Sequence, residues 1–86
     1  MDSKVLIKLI VYEMNSSFDV FIPVNEYIWK IKKLLVKSIG DLNNIRIDIN
    51  KECILLNKDN NKIYSNNDIV IDTDIRNGTE IVLMFR

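Results

Sequence analysis

The 86-residue chain has no histidine, no alanine, two glycines, one proline and one cysteine. Each shortage removes a class of function. Without histidine, the commonest general base and metal ligand is missing. Gly40 and Gly78 stand far apart, so no glycine-rich loop can cradle a phosphate. A single cysteine, Cys53, cannot close an intramolecular disulfide, which points to a reducing compartment. With no histidine beside it, Cys53 reads as a buried structural thiol. Twelve basic and twelve acidic side chains cancel, which leaves no global electrostatic case for nucleic acid or an anionic membrane surface. The N-terminal run Val5 to Tyr12 is apolar, but Lys8 interrupts it and no small-residue cleavage site follows. It is neither a signal peptide nor a membrane span. The expectation is a soluble cytoplasmic protein without catalytic residues, cofactor, metal, nucleic-acid partner or membrane insertion.

What is present favours a small β-rich domain. Residues 1–86 form one domain, and a chain of this size buries only about 60% of its unfolded surface. Fifteen isoleucines among 48% hydrophobic residues bias the chain toward strands. The eleven asparagines carry no functional signal. One stretch, Val24 to Gly40, has a long helical period. Its apolar stripe is Val24, Tyr27, Ile28, Ile31, Leu34, Leu35 and Ile39. Asn25 suits an N-cap, Glu26 and Lys37 suit the two ends of the helix dipole, and Gly40 suits a left-handed C-terminal cap.

Around this helix the chain reads as strands. Met1 to Ser3 is expected to fray. Lys4 to Glu13 forms a first strand with Val5, Ile7, Leu9 and Val11 inward and Leu6, Lys8, Ile10 and Tyr12 outward. Asn15-Ser16-Ser17 is a turn, and Phe18 to Ile22 returns antiparallel with Phe18, Val20 and Ile22 inward and Asp19 and Phe21 outward. Pro23 stops that strand. Beyond the helix, Ile45 to Ile49 and Cys53 to Asn57 compete as strands. Lys62 to Tyr64 is a short strand. Ser65 to Asp74 is mostly connection, with Ile69, Val70, Ile71 and Ile75 able to plug the core end. Asn77-Gly78 marks a tight turn, and Thr79 to Phe85 is the last strand, with Ile81, Leu83 and Phe85 against Val82 and Met84. A hairpin, a crossover helix and further strands, the last parallel to the first, make an α+β β-grasp: a mixed sheet of four to five strands with one helix packed across it.

Several stretches resemble ubiquitin-like folds, and more closely the YukD-like (EsaB) ubiquitin-like proteins of Gram-positive type VII secretion loci. They are Phe18-Asp19-Val20, Pro23-Val24, Asn57-Lys58-Asp59 followed by Tyr64-Ser65, and Ile75-Arg76-Asn77-Gly78-Thr79. The resemblance runs from Lys4 to Phe85 and is weakest across Asp41 to Glu52. It implies a bacterial, non-enzymatic interaction module, an accessory or regulator of a secretion apparatus whose membrane core is an ATPase. The alternative within the same fold is a covalent modifier or sulfur carrier. Those require a C-terminal Gly-Gly, whereas the sequence reads Leu83-Met84-Phe85-Arg86 after the last strand, so that alternative is disfavoured.

The candidate partner-binding residues are Leu6, Ile10, Phe21, Trp29, Val82 and Met84. Five of them fall on the outer sheet face, where contiguous apolar surface marks interaction or self-association and methionine can repack. The bland reading is scattered exposed hydrophobes. Trp29 sits off the core stripe on the same flank as Val36. It reads either as a docking hot spot or as a hydrophobic staple against Val24. Lys30, Lys33 and Lys37 lie opposite the stripe and read, with Lys32, as a solvated face rather than an acid-binding one. Asn57, Asp59, Asn61 and Asp68 fall at positions 1, 3, 5 and 12 of a calcium-loop count, but Lys62 occupies the place that needs glycine, so a locally hydrogen-bonded turn explains them better.

Overall fold

The computed structural model describes residues 3–86. Strand β1 (Lys4–Val11) pairs antiparallel with β2 (Ser16–Pro23), and the register Leu6 to Phe21 and Lys8 to Asp19 turns the expected residues inward and outward. The hairpin turn sits earlier than the sequence suggests. Tyr12–Met14 curl into a 3₁₀ turn and Asn15 takes the left-handed region at φ 49°, which asparagine tolerates. Ser16 and Ser17 therefore belong to β2. The expected fraying of Met1 and Asp2 lies outside the described residues, while the Ser3 carbonyl accepts the Val24 N–H.

Helix α1 spans Ile28–Leu42, later at both ends than its periodicity implies. Asn25 does not cap it. Residues 24–27 form a turn, a bend and a bridge to Ile69 that the 69–71 segment straps: Val70 N–H donates to Glu26 and Ile71 N–H to Val24. The first helical N–H groups instead meet backbone carbonyls, Ile28 to Asp68 at 2.8 Å and Trp29 to Asn66 at 3.3 Å. Trp29 is thus the second helical residue, which removes the staple with Val24. At the other end Gly40 is helical. The chain folds back over it, and a Cβ there would lie 3.0 Å from the Ile45 carbonyl oxygen. The left-handed residue is Asn44.

Strand β3 is Cys53–Asn57 and β4 is Glu80–Phe85, giving the order β2-β1-β4-β3 with β1 and β4 parallel and β3 and β4 antiparallel. Ile45–Ile49 is not a strand. Cys53–Asn57 takes the place beside β4 for which the two runs competed, and residues 45–49 pair with no strand. Only Ile47 is half-buried against the core. Lys62–Tyr64 shrinks to one bridge between Leu56 and Ile63. The Asn77-Gly78 turn forms, with Gly78 at φ 87° and Thr79 N–H closing on the Arg76 carbonyl. It also stitches β4 to β1: Gly78 N–H donates to Leu6, and the Leu6 N–H donates to Asn77 Oδ1.

The core lies between α1 and the inner sheet face. Ile28, Ile31, Leu35, Val36 and Ile39 pack over Ile7, Leu9, Ile22, Leu55, Ile81 and Leu83, with Tyr64, Val70 and Ile75 closing one end. Relative to the expected stripe, the helix has turned. Val36 is buried, while Leu34 and Tyr27 are exposed. Of the proposed plug residues, Val70 and Ile75 fill the core, Ile69 is half-buried and Ile71 is exposed.

Candidate interaction surface

The strand registers lay out the outer sheet face in rows. At one end Leu6 stands opposite Phe21, which is 62% exposed. The next row is charged. Lys8 faces Asp19 on β2 and Glu80 on β4, and Lys58 reaches Glu80 at 3.4 Å. Beyond it Ile10, Val82 and Leu56 lie abreast on β1, β4 and β3, followed by Met84 beside Ile54.

The five expected outer residues do lie on this face, but not as one patch. The Lys8 row separates Leu6 and Phe21 from the larger group. Val82 is only 2% exposed although it lies outside the cluster beneath the helix. It sits on a central strand with Ile10 and Leu56 as direct neighbours, so it is the base of the patch rather than contact surface. Met84, 40% exposed, and Ile63, paired beside Leu56, present the accessible apolar area. Leu56 and Ile54 escaped the sequence reading, because two runs competed for the strand that carries them. Had β3 been assigned, simple alternation would have found both.

Trp29 is not on this face. It belongs to the helix layer, and its ring is approached by Lys30 and Lys33 at 5.4 and 5.5 Å from the centroid. Of the candidate lysines, Lys37 pairs with Asp41 and Lys30 also pairs with Glu26, both on the surface.

The Asn57–Asn61 turn is held by its own side chains. Asn57 Oδ1 accepts the Asp59 N–H at 2.8 Å and Asn60 Oδ1 the Lys62 N–H at 2.9 Å. Asn61 supplies a left-handed residue at φ 60°, and Asp68 accepts the Ser65 N–H, away from that turn. One polar pair went unforeseen: the Tyr64 hydroxyl donates to Asp74 Oδ1 at 2.6 Å, and Asn57 and Asn60 each donate to Asp74 Oδ2 at 3.4 Å. Burial, followed by this bond, pushes the Tyr64 hydroxyl well above its ordinary range, while the Tyr64 hydrogen bond holds the Asp74 carboxyl below its own. Burial also raises the Cys53 thiol, against the opposing pull of Lys32. Among the described residues, no helix is long and apolar enough to cross a membrane.

No protein-family model and no curated protein matches the chain. Solved structures do. A chain of a MycP5-free ESX-5 inner membrane complex matches with TM-score 0.78 and 12% identity over 96% of this chain and 21% of that one, so the present chain spans only about a fifth of it. The EccD5 ubiquitin-like domain from Mycobacterium xenopi matches with TM-score 0.76 and 11% identity over 98% and 96% of the two chains. A Caldiarchaeum subterraneum ubiquitin matches with TM-score 0.69 and 12% identity over 98% and 95%. Likeness at such identities speaks to architecture, and the architecture is the ubiquitin-like β-grasp fold.

Proposed function

We propose that this chain is a non-enzymatic ubiquitin-like interaction module of the YukD-like kind, a cytoplasmic accessory or regulator of type VII secretion. The observation that carries the docking mode is the Ile10–Val82–Leu56 row with Met84 and Ile63 beside it. An apolar face on a helix-free sheet side is the means by which so small a domain can hold a protein partner. Support for the secretion setting comes from the sequence resemblance and from the likeness to a ubiquitin-like domain and a membrane-complex chain of an ESX-5 system. The partner in this reading is a secretion ATPase or a membrane protein bound to it.

Tagged protein is recovered from its native cells after mild crosslinking, alongside a Met84→Asp variant, and the eluates are identified by mass spectrometry. The expected result is co-recovery of a secretion ATPase or its membrane partner with wild type and its loss with the variant, without a covalent mass shift on the tagged chain. Equal recovery with Met84→Asp overturns the docking face. A ladder of heavier species joined through the C-terminal residues overturns the module reading in favour of a covalent modifier.

A further inference from the structure

Beside α1, at the β3 edge of the sheet, a cleft of about 310 Å³ opens between the helix, the connection before β3 and the end of β4. Trp29 stands in its wall, and Cys53 and Ile54 line it from the start of β3. Four cations border it, Lys32, Lys33, Lys51 and Arg86, against one acid, Glu52. A chain of zero net charge has therefore gathered a local positive excess. Among the described residues, none of the four cations is in a salt bridge; the three pairs present are Lys30–Glu26, Lys37–Asp41 and Lys58–Glu80. Two of the ammonium groups are placed by aromatic rings instead. Lys33 lies 5.5 Å from the Trp29 ring centroid and Lys51 lies 5.1 Å from that of Phe85. Lys32 is held by Asn66 Oδ1 at 2.6 Å.

We propose that this cleft binds a short acidic peptide segment, its carboxylates meeting Lys32, Lys33, Lys51 and Arg86 and an apolar side chain resting on Trp29. Charge complementarity selects the occupant. Carboxylates spaced along a peptide can answer several unpaired cations at once, and the volume has room for about two or three side chains. A nucleic-acid strand fits less well. It needs a track of cations and an open aromatic face for stacking. Here Asp48 and Glu52 bracket Lys51 in the sequence, which breaks a continuous phosphate track along that wall. The site is built on α1 and the connection before β3, contains none of the Ile10–Val82–Leu56 row and shares only Ile54 with that face, so it is tested separately from the secretion reading.

Trp29 is the sole tryptophan, so its emission reports on this wall of the cleft. The probe is the capped peptide Ac-EELEE-NH2, titrated into the whole chain at low salt, with Ac-QQLQQ-NH2, inorganic phosphate and a ten-nucleotide oligothymidylate as comparisons. The expected result is a saturable change with the acidic peptide only, weakened by added salt. The double variant Lys33→Glu/Lys51→Glu should weaken binding about tenfold or more. Lys4→Glu/Lys62→Glu, which changes net charge equally elsewhere, should not. Lys33→Gln/Lys51→Gln gives the same test should charge reversal unfold the chain. No saturable signal, equal affinity in the cleft variants, an equal response to free phosphate, or tighter binding of oligothymidylate would each overturn the proposal.

Discussion

Ile10 on β1 and Val82 on β4 are register partners in the parallel pairing at the centre of the sheet, and Val82 is buried on a face that no helix covers. Ile10 and Leu56 flank it on the two neighbouring strands. Val82 and Met84 therefore play opposite parts two residues apart. Val82→Ala should lower stability by about 1–3 kcal/mol through the cavity it leaves. Met84→Asp should change stability by less than about 1 kcal/mol, since Met84 is partly exposed, yet abolish partner binding. Urea unfolding of both variants beside the co-recovery experiment separates the two. A stable Val82→Ala would mean that the outer face is not packed around this residue.

Gly78 should be sensitive to backbone conformation and not to space. A Cβ there meets no heavy atom within 4 Å, but φ is 87°. Gly78→Ala should cost about 1 kcal/mol or more, and Gly78→Val more again, because L side chains disfavour that region. Gly78→Asn should be the mildest of the three, as asparagine enters the left-handed region more readily. Thermal unfolding would rank them, and an order following side-chain size rather than backbone preference would refute the conformational account.

Gly40 should behave in the opposite manner. It is inside α1, where alanine is ordinarily favoured by about 1 kcal/mol. Its Cβ, however, would lie 3.0 Å from the Ile45 carbonyl oxygen, and the Ile45 N–H is tied to the Gly40 carbonyl at 2.9 Å. The close pass of the chain leaves that oxygen little freedom to retreat. Gly40→Ala should therefore bring no gain and lose about 0.5–1 kcal/mol, with amide exchange accelerated at Asn44 and Ile45. A stabilised Gly40→Ala would show that the 43–52 connection yields easily.

The contrast between these two glycines shows what the sequence could carry. Asn77-Gly78 is a local signal, since turn chemistry and backbone freedom act within four residues, and it was readable. Gly40 and Asn25 looked equally local, as caps, but both ends of the helix are set by remote chain. Carbonyls of Asn66 and Asp68 receive the first N–H groups, and Ile45 passes over the last turn. The same distinction governs the strands. Alternation in Lys4–Val11 and Glu80–Phe85 is legible because each finds a partner edge. The equally regular Ile45, Ile47 and Ile49 do not pair, and Cys53–Asn57 takes the place beside β4. Site residues followed suit: Phe21 and Met84 could be placed outward by alternation, while the burial of Val82 depended on a three-strand row whose third member was not assigned.

The Tyr64–Asp74 bond links the 57–64 turn to the segment before β4, and it should write itself into the pH dependence of stability. The Asp74 carboxyl is held below its ordinary value of 3.8, so the folded state binds its proton more weakly than the unfolded state. Its stabilising contribution is complete above that value and is lost as pH falls through the depressed folded value. Tyr64 is shifted the other way from its ordinary 10.0, so its contribution is complete below pH 10 and is lost as pH rises toward the raised folded value. Tyr64→Phe should remove the alkaline slope and reduce the acid one, to which Asn60, Lys62 and Asn57 also contribute. At neutral pH it should cost about 1 kcal/mol, a modest figure because Asp74 remains exposed to water. The expected result of urea titrations from pH 2.5 to 11 is a wild-type advantage that is level in the middle and shrinks at both ends. An advantage that instead grew on acidification would assign the bond to a protonated Asp74 and reverse the stated sign.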